Sequence, residues 1–166
     1  MTVNTHLLPA KGLAVDIACG LCSSGLFLAS RGWRVIGLDV SENALRLAQA
    51  QANKKKLDAS FVAMDLADPW LPEDHFDAIM NFYFLSRPLL ERYHTAVKPG
   101  GLLFFETFVW QPAIQIRPEH YLQPDELRFR FSDWEILLYE ETGQTRHSPG
   151  TRRVARLIAR RPANPV

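Results

Sequence analysis

Two features are scarce in this sequence, cysteine and long apolar runs. The only two cysteines, Cys19 and Cys22, form a single C-x-x-C, which is too few for the disulfide framework of a small secreted protein. A transmembrane helix needs about 20 consecutive apolar residues, and no segment of the sequence approaches that length. The first residues also lack the charged-then-apolar order of a signal peptide. These absences predict a cytoplasmic protein without a membrane-spanning segment.

An excess of charge of either sign is also lacking. The 19 Lys and Arg residues balance 18 Asp and Glu residues, which gives a formal net charge of +1. No long-range electrostatic field therefore attracts nucleic acid or an anionic membrane. We interpret the arginines between 152 and 161 as solvent-exposed residues at the ends of a strand. The five histidines are scattered without metal-ligand spacing, so we expect no metal site. Nothing in the sequence indicates an oligomeric state.

Short apolar runs alternate with helical segments along 166 residues, a length that suits one domain over residues 1–166. Strands are predicted at 13–18, 33–38, 61–64, 76–82, 102–108, 134–140 and 154–159. Helix caps are predicted at Ser23 or Ser24 and at Ser41, a third helix is predicted with Pro88 in its first turn, and a short fourth helix is predicted at 124–129. Turns are predicted at 99–101 and 142–150. This alternation predicts an α/β fold with a doubly wound seven-stranded sheet, mostly parallel with an antiparallel last strand.

The residues that follow the strands are the candidates for binding, because ligands of such sheets lie beyond the carboxyl ends of the strands. Gly20 permits close approach of the backbone to a ligand. Asp39 lies 19 residues beyond Gly20 at a strand end, where a carboxylate accepts hydrogen bonds from ribose hydroxyls. Asp65 ends the third strand, within reach of an exocyclic amine. Together these positions predict a nucleoside pocket.

Five motifs in order resemble class I S-adenosylmethionine (SAM)-dependent methyltransferases. Residues 15–20 (VDIACG) resemble the first motif, D-x-G-x-G-x-G, and residues 37–41 (GLDVS) resemble the second. The later matches are 64–66 (MDL), 76–79 (FDAI) and 97–101 (VKPGG). The pieces at 87–88, 106–108 and 121–124 further resemble small bacterial methyltransferases related to tellurite-resistance enzymes.

The resemblance implies a Rossmann-like fold, SAM as cofactor and methyl transfer to a small or medium-sized acceptor. Asp39 would hold the ribose, Asp65 and Leu66 would border the adenine, and Asn81 would lie beside the sulfonium. The turn from Ala18 to Gly20 would pass under the methionine part, with Asp16 orienting the turn. The cofactor-binding candidates are therefore Asp16, Ala18, Cys19, Gly20, Asp39, Val40, Asp65, Leu66 and Asn81.

The acceptor side is predicted less specifically. Tyr83, Arg87 and Glu106 are candidates for lining the acceptor pocket, whose walls would come largely from residues 81–87 and 110–123. Arg87 could instead cap or pair, and Tyr83 could belong to the core. No catalytic residue is predicted, because much of the acceleration of an in-line methyl transfer can come from orientation alone.

The sequence departs from the family pattern at two positions and leaves alternatives open. Ala18 and Cys22 stand where the motif has glycine, and the larger Cys22 is expected to narrow the approach of the backbone to the ligand. About a dozen residues precede the first strand, where the family often has a helix over the cofactor, which leaves either a more open site or a truncated chain. One alternative is a non-catalytic or degenerate SAM-binding domain. Another is a thiol redox protein using Cys19 and Cys22, with a thiol of low pKa at a helix N-terminus.

Two other nucleotide-binding patterns fit less well. A nicotinamide-binding turn needs a glycine where Cys22 lies between Gly20 and Gly25. A phosphate loop needs Lys and Ser or Thr where this chain has Leu26 and Phe27.

Overall fold

The computed structural model describes residues 6–67, 69–112, 117–143 and 153–163. Most of the turn predicted at 142–150 lies outside these residues, as do Arg152 and the middle of the predicted wall segment 110–123.

Seven strands and four α-helices occur in the described parts of the chain. The strands are β1 (Leu13–Ile17), β2 (Arg34–Asp39), β3 (Ala59–Ala63), β4 (Phe76–Phe82), β5 (Val97–Phe108), β6 (Glu135–Gly143) and β7 (Arg153–Arg160). The helices are α1 (Ser23–Ala29), α2 (Glu42–Lys55), α3 (Arg87–Ala96) and α4 (Glu126–Arg130), and a short 3₁₀ turn spans Pro118–His120. None of these helices has the length and apolar character needed to cross a bilayer.

The strands form one sheet in the order β3-β2-β1-β4-β5-β7-β6. Strands β1 to β5 pair in parallel, and β7 runs antiparallel to both β5 and β6. The predicted fold class, mostly parallel with an antiparallel last strand, is confirmed. The strand order reverses between β1 and β4, so the carboxyl ends of these two strands border the crevice where such sheets bind ligands.

Both faces of the sheet are buried, which explains the near-continuous apolar runs of its central strands. Because side chains alternate along a strand, neighbouring residues enter different cores. In β4, Ile79 packs into the core beneath α3, which includes Tyr93, whereas Met80 packs into the core beneath α1 and α2, which includes Leu26 and Ala48. The helices thus cover opposite faces and leave the strand ends open.

The turn predicted at 99–101 is instead the irregular first part of a strand. β5 begins at Val97, directly after α3, and the register against β4 shifts between Phe76 and Ala78. Gly100 adopts a φ of +79° within the resulting bulge, and its N–H donates to the Arg161 carbonyl at 2.8 Å. Pairing with β4 and β7 therefore extends the strand through a sequence that locally signals a turn.

One predicted helix cap is confirmed and another is wrong. Ser41 precedes α2, and its hydroxyl accepts a hydrogen bond from the Ala44 N–H at 3.3 Å. At α1, neither Ser23 nor Ser24 is the cap, because Cys22 occupies that position with a left-handed φ of 53° and no side-chain cap bond.

Candidate functional site

A cavity of about 950 Å³ opens at the carboxyl end of the parallel strands. One part of its wall, the strand-end side, consists of residues that follow β1, β2 and β3: Ala18, Asp39, Val40, Asp65, Leu66 and Ala67. The other part, the loop side, follows β4 and β5: Tyr83, Phe84, Leu85, Ser86, Pro88, Thr107, Phe108, Arg117, His120 and Tyr121. The cavity therefore joins carboxylates on one side to aromatic rings on the other.

The turn after β1 is built from alternating left-handed residues. Ala18, Gly20 and Cys22 have φ values of 50°, 52° and 53°. These are the positions where the motif D-x-G-x-G-x-G has glycine. The backbone therefore adopts the shape of that motif, although two of the three residues carry side chains. Left-handed geometry costs a non-glycine residue about 1–2 kcal/mol.

Asp39 fastens this turn to the end of β2. The Gly20 N–H donates to Asp39 Oδ2 at 2.7 Å, and the Ser41 N–H donates to Asp39 Oδ1 at 2.9 Å. The half-buried carboxylate also lines the cavity. Since an ionised carboxylate offers about four acceptor positions, two backbone bonds leave capacity for ligand hydroxyls.

Asp16 supports the same turn from below. Its side chain is buried, accepts from the Gly25 N–H at 2.9 Å and from the Cys22 thiol at 3.5 Å, and lies beneath the turn. Burial raises the pKa of Asp16 to about 7, although both hydrogen bonds act in the opposite direction. This geometry fits the predicted orienting role of Asp16, through contacts within the protein.

Cys22 does not narrow the cavity, which corrects the expectation from sequence. Its side chain is fully buried in the core beneath α1, and a methyl group added at Gly25 would lie 2.4 Å from its sulfur. The pKa of the Cys22 thiol is raised, and the largest cause is its hydrogen bond with the Cys19 thiol. Burial is the second cause. The redox alternative required a thiol of lowered pKa at the helix start, and the pKa of Cys22, the residue at the N-cap position of α1, is shifted in the opposite direction.

The strand ends bring five of the predicted cofactor residues together on the cavity wall: Ala18, Asp39, Val40, Asp65 and Leu66. Asp65 is exposed, and its Oδ1 accepts from the Ala67 N–H at 2.9 Å. Val40 is exposed and Leu66 is buried, so two apolar side chains flank the carboxylates. Cys19 and Gly20 belong to the adjoining turn and are not among the residues that line the cavity.

Asn81 lies away from the position predicted for it. The side chain is fully buried, and its Nδ2 donates to the Tyr93 hydroxyl at 2.7 Å beneath the sheet. Its Oδ1 has no hydrogen-bond partner among the described residues. Alternation along β4 directs this side chain towards α3, and Asn81 is not among the residues that line the cavity.

Tyr83 and Glu106 are joined across the ends of β4 and β5. Tyr83 lines the cavity with a left-handed φ of 62°, and its hydroxyl donates to Glu106 Oε1. The Arg156 guanidinium donates to Glu106 Oε2 and, at 2.9 Å, to Glu140. These bonds raise the pKa of Arg156. Glu106 is held between the Tyr83 phenol and the Arg156 guanidinium and does not line the cavity, which corrects its assignment to the acceptor pocket.

Arg87 pairs within the protein and does not line the acceptor pocket, which corrects its assignment as a pocket residue. Its guanidinium donates to both carboxylate oxygens of Glu126, at 2.9 and 2.8 Å. It also donates to the carbonyls of Glu119 and Tyr121 at 3.0 and 3.1 Å. Burial opposes the ionisation of Glu126, but bonds from Arg87, the Gln123 N–H and Arg130 outweigh it and lower the pKa of Glu126. The Arg87–Glu126 ion pair thus attaches the segment after β5 to α3.

Sequence reasoning identified Tyr83 on the acceptor side but did not single out the other cavity residues of its loops. Thr107 and Phe108 end β5, and Arg117, His120 and Tyr121 follow in the next segment. The position of Thr107 close to the end of a predicted strand was a usable signal. For Phe108, Arg117, His120 and Tyr121, the local sequence does not indicate which side chains point into the cavity. Among the described residues, no three His, Cys, Asp or Glu side chains are grouped to hold a metal ion.

The strand order and the cavity at the strand ends define a Rossmann-like α/β fold, and solved structures share it along most of this chain. A SAM-dependent methyltransferase of Methanosarcina mazei has a TM-score of 0.79 at 19% identity, over 99% of each chain. TehB of Haemophilus influenzae has a TM-score of 0.81 at 20% identity, over 96% of this chain and 60% of TehB. At these identities the likeness establishes the fold.

The sequence comparison places the chain in a family. Residues 14–101, more than half of the chain, match the family described as methyltransferase domain, and the chain belongs to that family. YqeM of Bacillus subtilis, a protein assigned as a methyltransferase, is 29% identical over 108 residues, which cover 60% of this chain and 43% of YqeM. This chain therefore spans less than half the length of YqeM. The predicted methyltransferase family is confirmed, and the predicted Rossmann-like fold is shared with SAM-dependent methyltransferases.

Proposed function

We propose that this protein transfers the methyl group of SAM to a small or medium-sized acceptor, with the cofactor on the strand-end side and the acceptor on the loop side. The observation that carries the proposal is the position of Asp39, whose carboxylate lines the cavity while it holds the turn after β1. Methyl transfer at a sulfonium needs both ligands held in line, and a cavity with two chemically different sides suits that requirement.

The strand-end side has the chemistry that an adenosyl group requires. Asp39 retains acceptor capacity for the ribose hydroxyls, and Asp65 offers a second carboxylate at the next strand end. Val40 and Leu66 supply apolar surface for a purine. A methyl group added at Gly20 would meet no described atom within 4 Å, so the turn leaves space above it. SAM, when bound, would supply an electrophilic methyl group on a positively charged sulfur.

The size of the cavity supports a small acceptor. Pockets for small ligands measure roughly 300–1,000 Å³, and a cavity near the upper end of that range suits a cofactor together with a modest second ligand. The transfer removes positive charge from sulfur and needs no dedicated acid or base when the acceptor is already nucleophilic. The residues of this chain would then act by binding, by orientation and by exclusion of water.

Titration calorimetry with S-adenosylhomocysteine (SAH) tests the cofactor side. We expect binding to the wild type, a loss of at least tenfold in Asp39→Asn and a larger loss in Asp39→Ala. The matched control is Asp58→Ala, since Asp58 is an exposed acid whose one ion pair within the described parts of the chain is with the exposed Arg34, at 3.4 Å. No binding of SAH to the wild type at millimolar concentration would overturn the proposal.

The two rival functions predict different outcomes. A non-catalytic SAM-binding domain would bind SAH and depend on Asp39, but would convert no SAM to SAH with any acceptor. A thiol redox protein would lose its activity when Cys19 and Cys22 are alkylated and would keep it in Asp39→Ala. Because Cys22 is fully buried, we expect iodoacetamide to label Cys19 first and Cys22 only on unfolding, as measured by peptide mass spectrometry.

A further inference from the structure

The loop side of the cavity carries a continuous aromatic wall. The rings of Tyr83 and Phe108 have centroids 5.3 Å apart, and those of Phe108 and Tyr121 have centroids 6.4 Å apart. Phe84 lines the same side. Such rings offer flat π-faces that favour offset or edge contacts with another ring. A planar conjugated ligand matches this wall better than a flexible aliphatic one.

The charges of the cavity are divided between its two sides. The carboxylates that line it, Asp39 and Asp65, lie on the strand-end side, whereas Arg117 and His120 lie on the loop side. Two acids lie close to the loop side without lining it: Glu106, which pairs with Arg156, and Glu119, whose Oε1 is 3.7 Å from His120 Nε2. A ligand on the loop side therefore meets the guanidinium of Arg117 and no carboxylate among the residues that line that side.

Arg117 differs from the other arginines around the site. Arg87 and Arg130 pair with Glu126, and Arg156 pairs with Glu106. For the Arg117 guanidinium, the described residues provide no carboxylate partner and no hydrogen-bond acceptor. A guanidinium fork fits a planar carboxylate with two parallel hydrogen bonds. An unpaired arginine on a cavity wall is thus available to a ligand anion.

We propose that the acceptor is a planar aromatic compound that carries an anionic group, an inference that rests on the proposed function. The ring contacts the Tyr83–Phe108–Tyr121 wall, and the anion binds Arg117. A nucleophilic hydroxyl or amine of this compound forms the bond to the methyl carbon. The carbon–sulfur bond breaks with its electron pair left on sulfur, and the proton of the nucleophile leaves to water.

Three probes separate the contribution of the aromatic ring from that of the anionic group: hydroxynaphthoate, its uncharged methyl ester, and the saturated decalin carboxylate. Each is titrated into the protein saturated with SAH, so that the cofactor side is filled. We expect hydroxynaphthoate to bind at least tenfold more tightly than either other probe, since the ester lacks the anion and the decalin lacks the ring.

Two variants assign the contributions to residues. Arg117→Gln should abolish the difference between acid and ester, and Phe108→Leu should weaken the two aromatic probes about equally. The control is Arg128→Gln on α4, away from the cavity wall. SAH binding, measured for each variant, reports whether the fold and the cofactor side are intact.

The outcomes distinguish this inference from the proposed function. Equal binding of acid and ester, or tight binding of the decalin, in a protein that still binds SAH would overturn the acceptor class alone. Failure of SAH to bind would overturn the proposed function itself. If Arg117→Gln bound the acid as tightly as the wild type does, the assignment of the anion to Arg117 would be wrong.

Discussion

The N–H of Gly20 donates to the Asp39 carboxylate at 2.7 Å, so the turn after β1 is tied to the end of β2. The two residues are 19 positions apart in the sequence. The Asp39 carboxylate therefore has two roles, because it supports the turn and forms part of the cavity wall. Loss of Asp39 is therefore expected to affect stability as well as binding.

Asp39→Ala should lower the free energy of unfolding by about 1–3 kcal/mol, because two backbone N–H groups lose a charged acceptor. Asp65→Ala should cost less than about 1 kcal/mol, since Asp65 is exposed and accepts one local bond from Ala67. Urea unfolding of both variants measures the difference. Equal losses would show that the Gly20–Asp39 bond contributes little.

Asp16 gives stability a specific pH dependence. Burial raises its pKa from 3.8 to about 7, so the folded state binds a proton more tightly than the unfolded state does. The contribution of Asp16 is therefore fully present below pH 4 and is lost as pH rises through 7. The total change is of the order of 4 kcal/mol, at about 1.4 kcal/mol per pKa unit.

Asp16→Asn should remove this dependence, because the amide does not titrate. The difference in unfolding free energy, wild type minus variant, should fall between pH 4.5 and pH 7.5 in urea titrations. In the exposed control Asp58→Asn, the corresponding difference should vary little over the same range. A wild type and an Asp16→Asn variant that change in parallel would contradict the raised pKa.

The two substituted glycine positions should respond in opposite directions. Ala18→Gly relieves a left-handed alanine and should stabilise by up to about 1 kcal/mol, after the larger entropy of glycine in the unfolded chain is subtracted. Cys22→Gly relieves similar strain but removes a fully buried side chain and its bond to Asp16, and should destabilise by about 1 kcal/mol. Thermal unfolding of both variants tests this, and two shifts of the same sign would contradict it.

The Arg87–Glu126 ion pair should be worth more than an exposed pair. The Arg87 side chain is one-third exposed and that of Glu126 is mostly buried, so Arg87→Ala should cost about 1–2 kcal/mol, reduced by solvent screening at Arg87. Hydrogen exchange at the amides of 121–130 should increase at the same time. The exposed control Arg34→Ala should change stability by less than about 0.5 kcal/mol.

Local patterns predicted the fold because its central strands are buried on both faces. The predicted strand at 76–82 coincides with β4, and the Ser41 cap begins α2 as expected. Asp39 was found from its spacing to Gly20, since a strand, a turn and a helix have nearly constant lengths in this architecture. These features depend on residues close together in the chain.

The errors concern contacts that no local pattern contains. Arg87 meets Glu126 across 39 residues, and a pocket residue cannot be told from a paired one until both segments are placed. Asn81 was assigned to the right strand end, but its direction depends on the alternation within β4 and on the Tyr93 hydroxyl beneath the sheet. The side chain of Cys22 faces the core because the backbone at that residue is left-handed.

The left-handed backbone at positions 18, 20 and 22 has a practical consequence for finding proteins of this kind. A search pattern that insists on glycine at each position would pass over this chain, although the bend itself is retained. A pattern built on the buried carboxylate at 16 and the strand-end carboxylate at 39 would retrieve it, because those two side chains bind the backbone of the bend. Diverged members of the family are therefore better detected by the acids that support the bend than by the small residues within it.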